Sequence, residues 1–386
     1  MNKTSDSTLS ETRLALRQAT HADEHSIATS MLADFPKDRA ELDGIVETAY
    51  AIVTKSREMT AQRGTLDAFM QEFGLSNQEG VALMCLAEAL LRIPNAETQD
   101  ALISEKIASG NWGDHRGSSE DLFVNAGVWA LMLTGGVIKL DDKVRKDAAG
   151  WTKSAVARLS GPVIRKAVMQ AMRIMGHQFV FGRTIKEALK QRAKLKTDSR
   201  LFSFDMLGEG ARTAADAERH QDLYRRVIEA VGTELKDEGD DIAARSSISI
   251  KLSALHPRYE AVKVERVMNE LLPKVKELAL RAKFHNMQLT IDAEEADRLD
   301  VSLDLFEALA RDEELSGWQG LGLVIQAYQK RGPALVDWLI ALAGETGRRF
   351  PTRLVKGAYW DSEIKHAQEL GYPDYPVWTR KVTTDL

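Results

Sequence analysis

The sequence predicts an all-α region followed by an α/β domain built on a parallel sheet. Two observations carry that reading. Over about residues 40–190 the chain reads as helix almost throughout, and beyond residue 200 five short β-branched or aromatic runs alternate with amphipathic segments. Strand alternating with helix builds βαβ units, whose crossovers are right-handed almost without exception. An open doubly wound sheet and a closed barrel both satisfy this pattern. The chain has 386 residues, and at about 150 per domain two or three domains are expected. That length buries a large core without staples.

Residues 1–50 read as an N-terminal arm. Its first 40 residues are rich in Ser, Thr, Asp and Ala, which suggests a mobile or loosely docked segment, and no apolar run follows Lys3 to make a secretory signal. Residues 51–150 read as a helical domain. Ser76-Asn77-Gln78-Glu79 is a capping box, and the VALMCLAEALLRI stretch after it, closed by Pro94, is apolar on nearly every face and so buried. LFVNAGVWALML follows Glu120-Asp121 and breaks at Gly135-Gly136. Linker helices fill residues 151–199, starting near Pro162. The seven basic and two acidic residues of 183–200 read as a solvated helix, because no aromatic residues are interleaved to stack on bases. The longest apolar run, Val81 to Ala87, is far shorter than the roughly 18 residues of a membrane span.

From 200 to 386 the runs LFSFDML, SISIKLS, QLTID, GLGLVIQA and PTRLVKG read as strands. Their carboxyl ends carry the chemistry. They lead into Glu209, Lys251, Asp292 with Glu294-Glu295, Gln326, and Arg353 followed by Lys356-Gly357-Ala358-Tyr359-Trp360. In a barrel such ends converge on one face, where active sites are built. Charges placed directly behind apolar runs need partners, and Lys251, Asp292 and Arg353 suit one another or a ligand.

Several classes are excluded. No G-x-G-x-x-G or G-x-x-x-x-G-K-[ST] motif follows a strand, so neither a Rossmann dinucleotide site nor a P-loop is supported. Lys and Arg number 52 and Asp and Glu 57, a net charge of −5. That balance argues against nucleic acid as a partner. The single cysteine, Cys85, excludes a disulfide framework and a cysteine zinc site; mid-helix, it reads as an inert core thiol in a reducing cytoplasm. His21-Ala22-Asp23-Glu24-His25 matches the H-x-x-E-H pattern of some zinc peptidases. It lies in a polar arm with no third ligand, so no metal is expected. His115 reads as a loop or capping residue.

The segments FSFDMLGEGARTAADA, SISIKLSALHPRY, IDAEEADRLDVSLDL, GLGLVIQAYQKR, RLVKGAYWDSEIKHAQ and YPVWTRK together resemble the proline dehydrogenase barrel of the proline utilisation A family, the bifunctional bacterial proline-catabolic flavoenzymes. The helical half, with ALLRIPNAETQDALISEKI and NWGDHRGSSEDLFVNAGVWALMLTG, is similar to that family's arm and helical region. The resemblance implies a distorted (β/α)8 TIM-type barrel holding FAD at the carboxyl ends of its strands. It implies oxidation of L-proline to 1-pyrroline-5-carboxylate, with hydride passing from proline C5 to the flavin N5. It further implies a cytoplasmic protein associating peripherally with the membrane, a quinone electron acceptor, and a homo-oligomer formed through the parent protein.

By resemblance, Arg353 lies near the flavin N5, Val324 and Gln326 line the isoalloxazine, and Lys356, Gly357, Ala358 and Trp360 hold the rest of the FAD. Lys251 meets the substrate carboxylate and Asp292 organises the charges. Tyr359 and Ala358 pack against the proline ring. Glu209 belongs to a latch whose arginine comes from the family's last helix. Two departures are expected. Residues 200–386 hold only five strand–helix units, whereas a complete barrel takes eight strands and about 250 residues. The aldehyde dehydrogenase half, with its NAD site, is not in these residues, nor is a ribbon-helix-helix segment, so the DNA-binding role of some members is not supported. The chain therefore reads as the front part of a longer polypeptide. A non-catalytic fragment or scaffold is the alternative, and another barrel enzyme acting on a small carboxylate is a third reading.

Overall fold

A computed structural model describes residues 3–35, 38–61, 97–98, 180–195, 201–235 and 239–385. The expected helices around Ser76, Cys85, Glu120 and Pro162, and the loop of His115, lie outside the described residues. Two compact units divide the chain: residues 1–36 with 184–386, and residues 37–183. Of the second unit the described part is chiefly helix α3 (Arg39–Ala61).

The first unit opens with α1 (Lys3–Gln18) and α2 (Glu24–Asp34). After α4 (Ile185–Leu195) it alternates strand and helix: β1 (Ser203–Asp205), α5 (Ala214–Glu234), β2 (Ser247–Ile250), α6 (Val264–Glu270), α7 (Leu272–Phe284), β3 (Leu289–Ile291), α8 (Leu299–Ala310), β4 (Leu321–Gln326), α9 (Gly332–Thr346), β5 (Thr352–Val355) and α10 (Trp360–Glu369). All five expected strands form. The amphipathic segment KVERVMNELLPKVKELALRAK forms two helices. Pro273 lacks an amide hydrogen and sits in the first turn of α7, where that donor is not needed. Helix α5 starts at a capping box, in which Thr213 accepts from the Asp216 amide while Asp216 accepts from the Thr213 amide.

The strand order is β1-β2-β3-β4-β5, every pair parallel. This settles the choice left open by the periodicity. Right-handed crossovers that always step in the same direction put all the helices on one face. A doubly wound sheet needs a reversal of strand order, and there is none among the described residues. The sheet is an arc of a (β/α) barrel, preceded in the chain by helical segments.

Register and alternation sort the side chains onto two faces. Phe204, Ile248, Leu289 and Leu321 form one row, and Ile250, Ile291 and Leu323 the next. These side chains are buried, on the face where the helices lie. Asp205, Ser249, Thr290 and Gly322 form a row on the other face. Small residues stand there where a closed barrel normally stacks bulky branched ones. A Cβ on Gly322 would lie 2.8 Å from Thr290 Oγ1 and 2.9 Å from Pro351 O. Strand β5 is exposed along its whole length, Leu354 on one face and Arg353 on the other.

The N-terminal stretch departs from the loosely docked arm expected of it. Leu16 is fully buried, and α1 packs on α9. The Arg13 guanidinium reaches Asp304 and the Asp300 carbonyl, and lies over the Trp338 ring. Arg17 pairs with Asp300. Composition read this stretch as polar; it missed that two of the polar residues are arginines spaced one helical turn apart, facing two aspartates spaced the same way on α8. No helix among the described residues is long and apolar enough to cross a membrane.

Candidate active site

Lys251 and Asp292 each follow the last residue of a strand and continue the inner face. Lys251 keeps an extended backbone, and the Asp292 amide donates to Ile250 O as the ladder would. The Lys251 ammonium donates to Asp205 Oδ2 at 2.9 Å and to Asp292 Oδ2 at 3.0 Å. The other oxygen of Asp292 takes the Arg353 guanidinium. Three of the residues singled out in the sequence thus share one cluster, and Asp205 is the member that sequence reasoning missed. The signal is in the sequence: Asp205 closes the FSFD run just as Asp292 closes QLTID.

Burial opposes the Lys251 charge, yet the two carboxylates outweigh it and hold the ammonium above its ordinary range. Burial pushes Asp205 up, against the pull of Lys251. Beneath the cluster the Lys251 amide donates to the Tyr224 hydroxyl at 3.1 Å. Tyr224 comes from the buried face of α5, and burial pushes its phenol up to about 12. An interior helix tyrosine carries no local sequence signal for this role.

The loops above the sheet are stitched together. Ser253 accepts from the Gly210 amide with its hydroxyl and from the Ala211 amide with its carbonyl, and its own amide donates to Glu294 Oε1 at 3.0 Å. Glu294 O accepts from Gln326 Nε2 at 2.9 Å, and Gln326 Oε1 accepts from the Ala358 amide at 3.3 Å. Burial raises Glu294. The Gln326 amide is therefore bonded within the protein on both sides, and Val324, beside Arg353 in register, is buried.

The remaining candidates lie toward β5. The Tyr359 hydroxyl donates to Glu209 Oε2 at 3.4 Å, and burial, with Glu209 beside it, raises the phenol. Lys356 is exposed and pairs with Asp385. Gly357 has φ +127°, and a Cβ there would lie 2.3 Å from the Tyr328 ring, so only glycine fits. Trp360 Nε1 donates to Trp378 O at 2.7 Å, and Lys381 lies 4.6 Å from its ring. No cluster able to hold a metal ion occurs among the described residues.

The donor set suits a flat anionic ring. The inner face is lined by small residues, and its outermost strand offers Arg353, 42% exposed and paired with Asp292. Cations, paired carboxylates and a glycine-bearing loop thus gather at the carboxyl ends of an arc of parallel strands, the end at which barrel enzymes build their sites.

The sequence profile of the proline dehydrogenase family matches residues 188–386. Bifunctional protein PutA of Salmonella typhimurium is 50% identical over 341 residues, covering 88% of this chain and 26% of that protein. Bifunctional protein PutA of Rhizobium meliloti is 51% identical over 345 residues, 89% of this chain and 27% of that one. A crystal structure of a point mutant of Bradyrhizobium japonicum proline utilization A superposes with a TM-score of 0.66 at 44% identity, covering 95% of this chain and 36% of that one. The chain belongs to the proline dehydrogenase family. It spans about a quarter of the length of the curated relatives it matches. A profile described as the DNA-binding domain of proline dehydrogenase matches residues 65–179. That description bears against the expectation of no nucleic-acid partner, which rested on the net charge of the whole chain, on a basic stretch without interleaved aromatics and on the lack of a ribbon-helix-helix segment.

Proposed function

We propose that this chain carries the FAD-dependent, proline-oxidising module of a longer proline-catabolic enzyme. The observation that supports it most is the Asp205–Lys251–Asp292–Arg353 cluster on an inner face of small residues, in a chain of this family. Lys251, kept charged by its carboxylates, binds the carboxylate of L-proline and so orients the ring. Asp292 divides itself between Lys251 and Arg353 and sets the distance between substrate and cofactor sides. Tyr359 and Ala358 pack against the proline ring, with Glu209 holding the Tyr359 hydroxyl.

On the cofactor side, Arg353 and Val324 flank the ring, Gln326 backs it through Ala358, and Lys356, Gly357 and Trp360 hold the remainder of the FAD. FAD bound there supplies the acceptor for the hydride leaving proline C5. The Arg353 cation favours negative charge developing beside it. Proline must present its amine unprotonated to release hydride, and the product is 1-pyrroline-5-carboxylate. A quinone acceptor, peripheral association with the membrane and a homo-oligomeric parent remain part of this reading.

The exposure of β5 on both faces favours a second reading, a scaffold without catalysis. One experiment separates the two. The chain is loaded with FAD and mixed anaerobically with L-proline. Loss of the oxidised flavin absorbance supports the enzyme; a bound flavin that stays oxidised, or no flavin binding, overturns it.

A further inference from the structure

The zinc-like motif of the arm performs another task. His21 Nδ1 lies 3.1 Å from Asp374 O, and its ring meets the edge of Tyr372 at 4.9 Å. Ala22 O accepts from the Lys330 ammonium at 2.8 Å. Asp23 caps α2 by accepting from the Ser26 amide. Glu24 accepts from both the amide and the hydroxyl of Thr379, at 3.0 Å and 2.9 Å. Just before the motif, Thr20 Oγ1 accepts from Arg331 at 3.2 Å. The Lys330 and Arg331 side chains are almost fully buried, and a buried cation is held only where it is paired and hydrogen-bonded.

The segment gripped by His21 and Glu24 leads to the site. The Trp378 amide donates to Tyr328 O at 2.9 Å, and its Nε1 to Ala327 O at 3.0 Å. The Lys330 amide donates to Pro376 O, and Trp378 O accepts from Trp360 Nε1. Ala327 and Tyr328 in turn donate to Val355 O and Lys356 O, both at 2.8 Å, and the Tyr328 ring lies against Gly357. Every link from Glu24 to Gly357 is a direct contact.

We propose that Thr20–Glu24 form a strap that positions the cofactor-side rim of the site, acting through residues 372–379 and the β4–α9 loop. The word cofactor rests on the proposed function; the strap itself does not. Glu24 is its key positioning residue, because its carboxylate accepts from both the amide and the hydroxyl of Thr379. Such bonds are stronger than neutral ones.

The test uses the full chain with Glu24→Ala, Glu24→Gln and, as a control, Asp222→Ala in an exposed surface pair. Amide hydrogen exchange is read at Tyr328, Lys330, Trp378 and Thr379, with Leu289 and Ile291 as the core reference. FAD affinity is read by titration. Glu24→Ala is expected to speed exchange at those four amides about tenfold or more, to leave β3 unchanged, and to weaken FAD binding about tenfold. Glu24→Gln, whose amide oxygen still accepts, and the control stay within about threefold of wild type. Unchanged exchange in Glu24→Ala overturns the proposal. So does acceleration shared equally by β3, or a loosened loop with unaltered FAD affinity. Failure of the wild-type chain to bind FAD would fail the functional reading, while the exchange pattern would still decide the strap.

Discussion

Replacing Lys251 by Met removes one charge from a cluster of four and keeps most of the side-chain volume. The ammonium makes two ion pairs, at 2.9 Å to Asp205 and 3.0 Å to Asp292. At an effective dielectric near 20 each is worth about 5–6 kcal/mol in gross Coulomb energy, most of it offset by desolvation. Removing one partner of a fully buried pair costs about 3–5 kcal/mol. Here the loss is smaller, because Asp292 keeps Arg353 and the Asp205 side chain is 43% exposed. A net destabilisation of about 1–2 kcal/mol is expected, read by denaturant unfolding. The effect on ligand is more specific. Loss of a charge-assisted bond to a carboxylate, about 1.5–3 kcal/mol, weakens L-proline roughly 10- to 150-fold. Pyrrolidine, the same ring without a carboxylate, should lose almost nothing. Equal weakening of proline and pyrrolidine, or undiminished proline affinity with a normal fold, would refute the assignment of Lys251 as the carboxylate anchor.

Gly357→Ala puts a Cβ 2.3 Å from the Tyr328 ring at φ +127°; it should destabilise by a few kcal/mol and loosen FAD together with it, measured by thermal unfolding and flavin titration. Tyr224 has a folded pKa of about 12 above its ordinary 10. Its contribution to stability is therefore complete below pH 10 and lost as pH rises toward 12, and Tyr224→Phe should abolish that part of the pH dependence while costing about 1–3 kcal/mol for the unpaired Lys251 amide. Parallel unfolding–pH profiles for the two proteins would contradict this. The rate of flavin reduction by proline should rise with pH as the substrate amine loses its proton, and a flat stopped-flow profile would count against amine deprotonation as a requirement.

Much of this is legible in the sequence. The five strands appear where β-branched and aromatic runs stand between Gly, Pro and polar residues, and the charges at their ends are brought together because parallel strands put all carboxyl ends on one rim. Asp205 was readable by the same logic and overlooked. Other features were not readable, for a physical reason. Tyr224 acts across a helix–strand packing and Ser253 through backbone groups of other loops, so periodicity along the chain contains nothing about them; Glu294 and Gln326 stand out at strand ends, but their backbone partners in other loops do not. The arm misled for a similar reason: Arg13 and Arg17 look solvated until Asp300 and Asp304 are placed opposite them.

That pairing across nearly three hundred positions has a bearing on biosynthesis. At about 5–20 residues per second on the ribosome, helix α1 emerges on the order of half a minute before α8 and α9 exist to receive it. Until then Leu16, fully buried in the folded protein, is without the helix on which α1 packs. The first helix therefore docks late, only after the chain as far as α9 has left the ribosome.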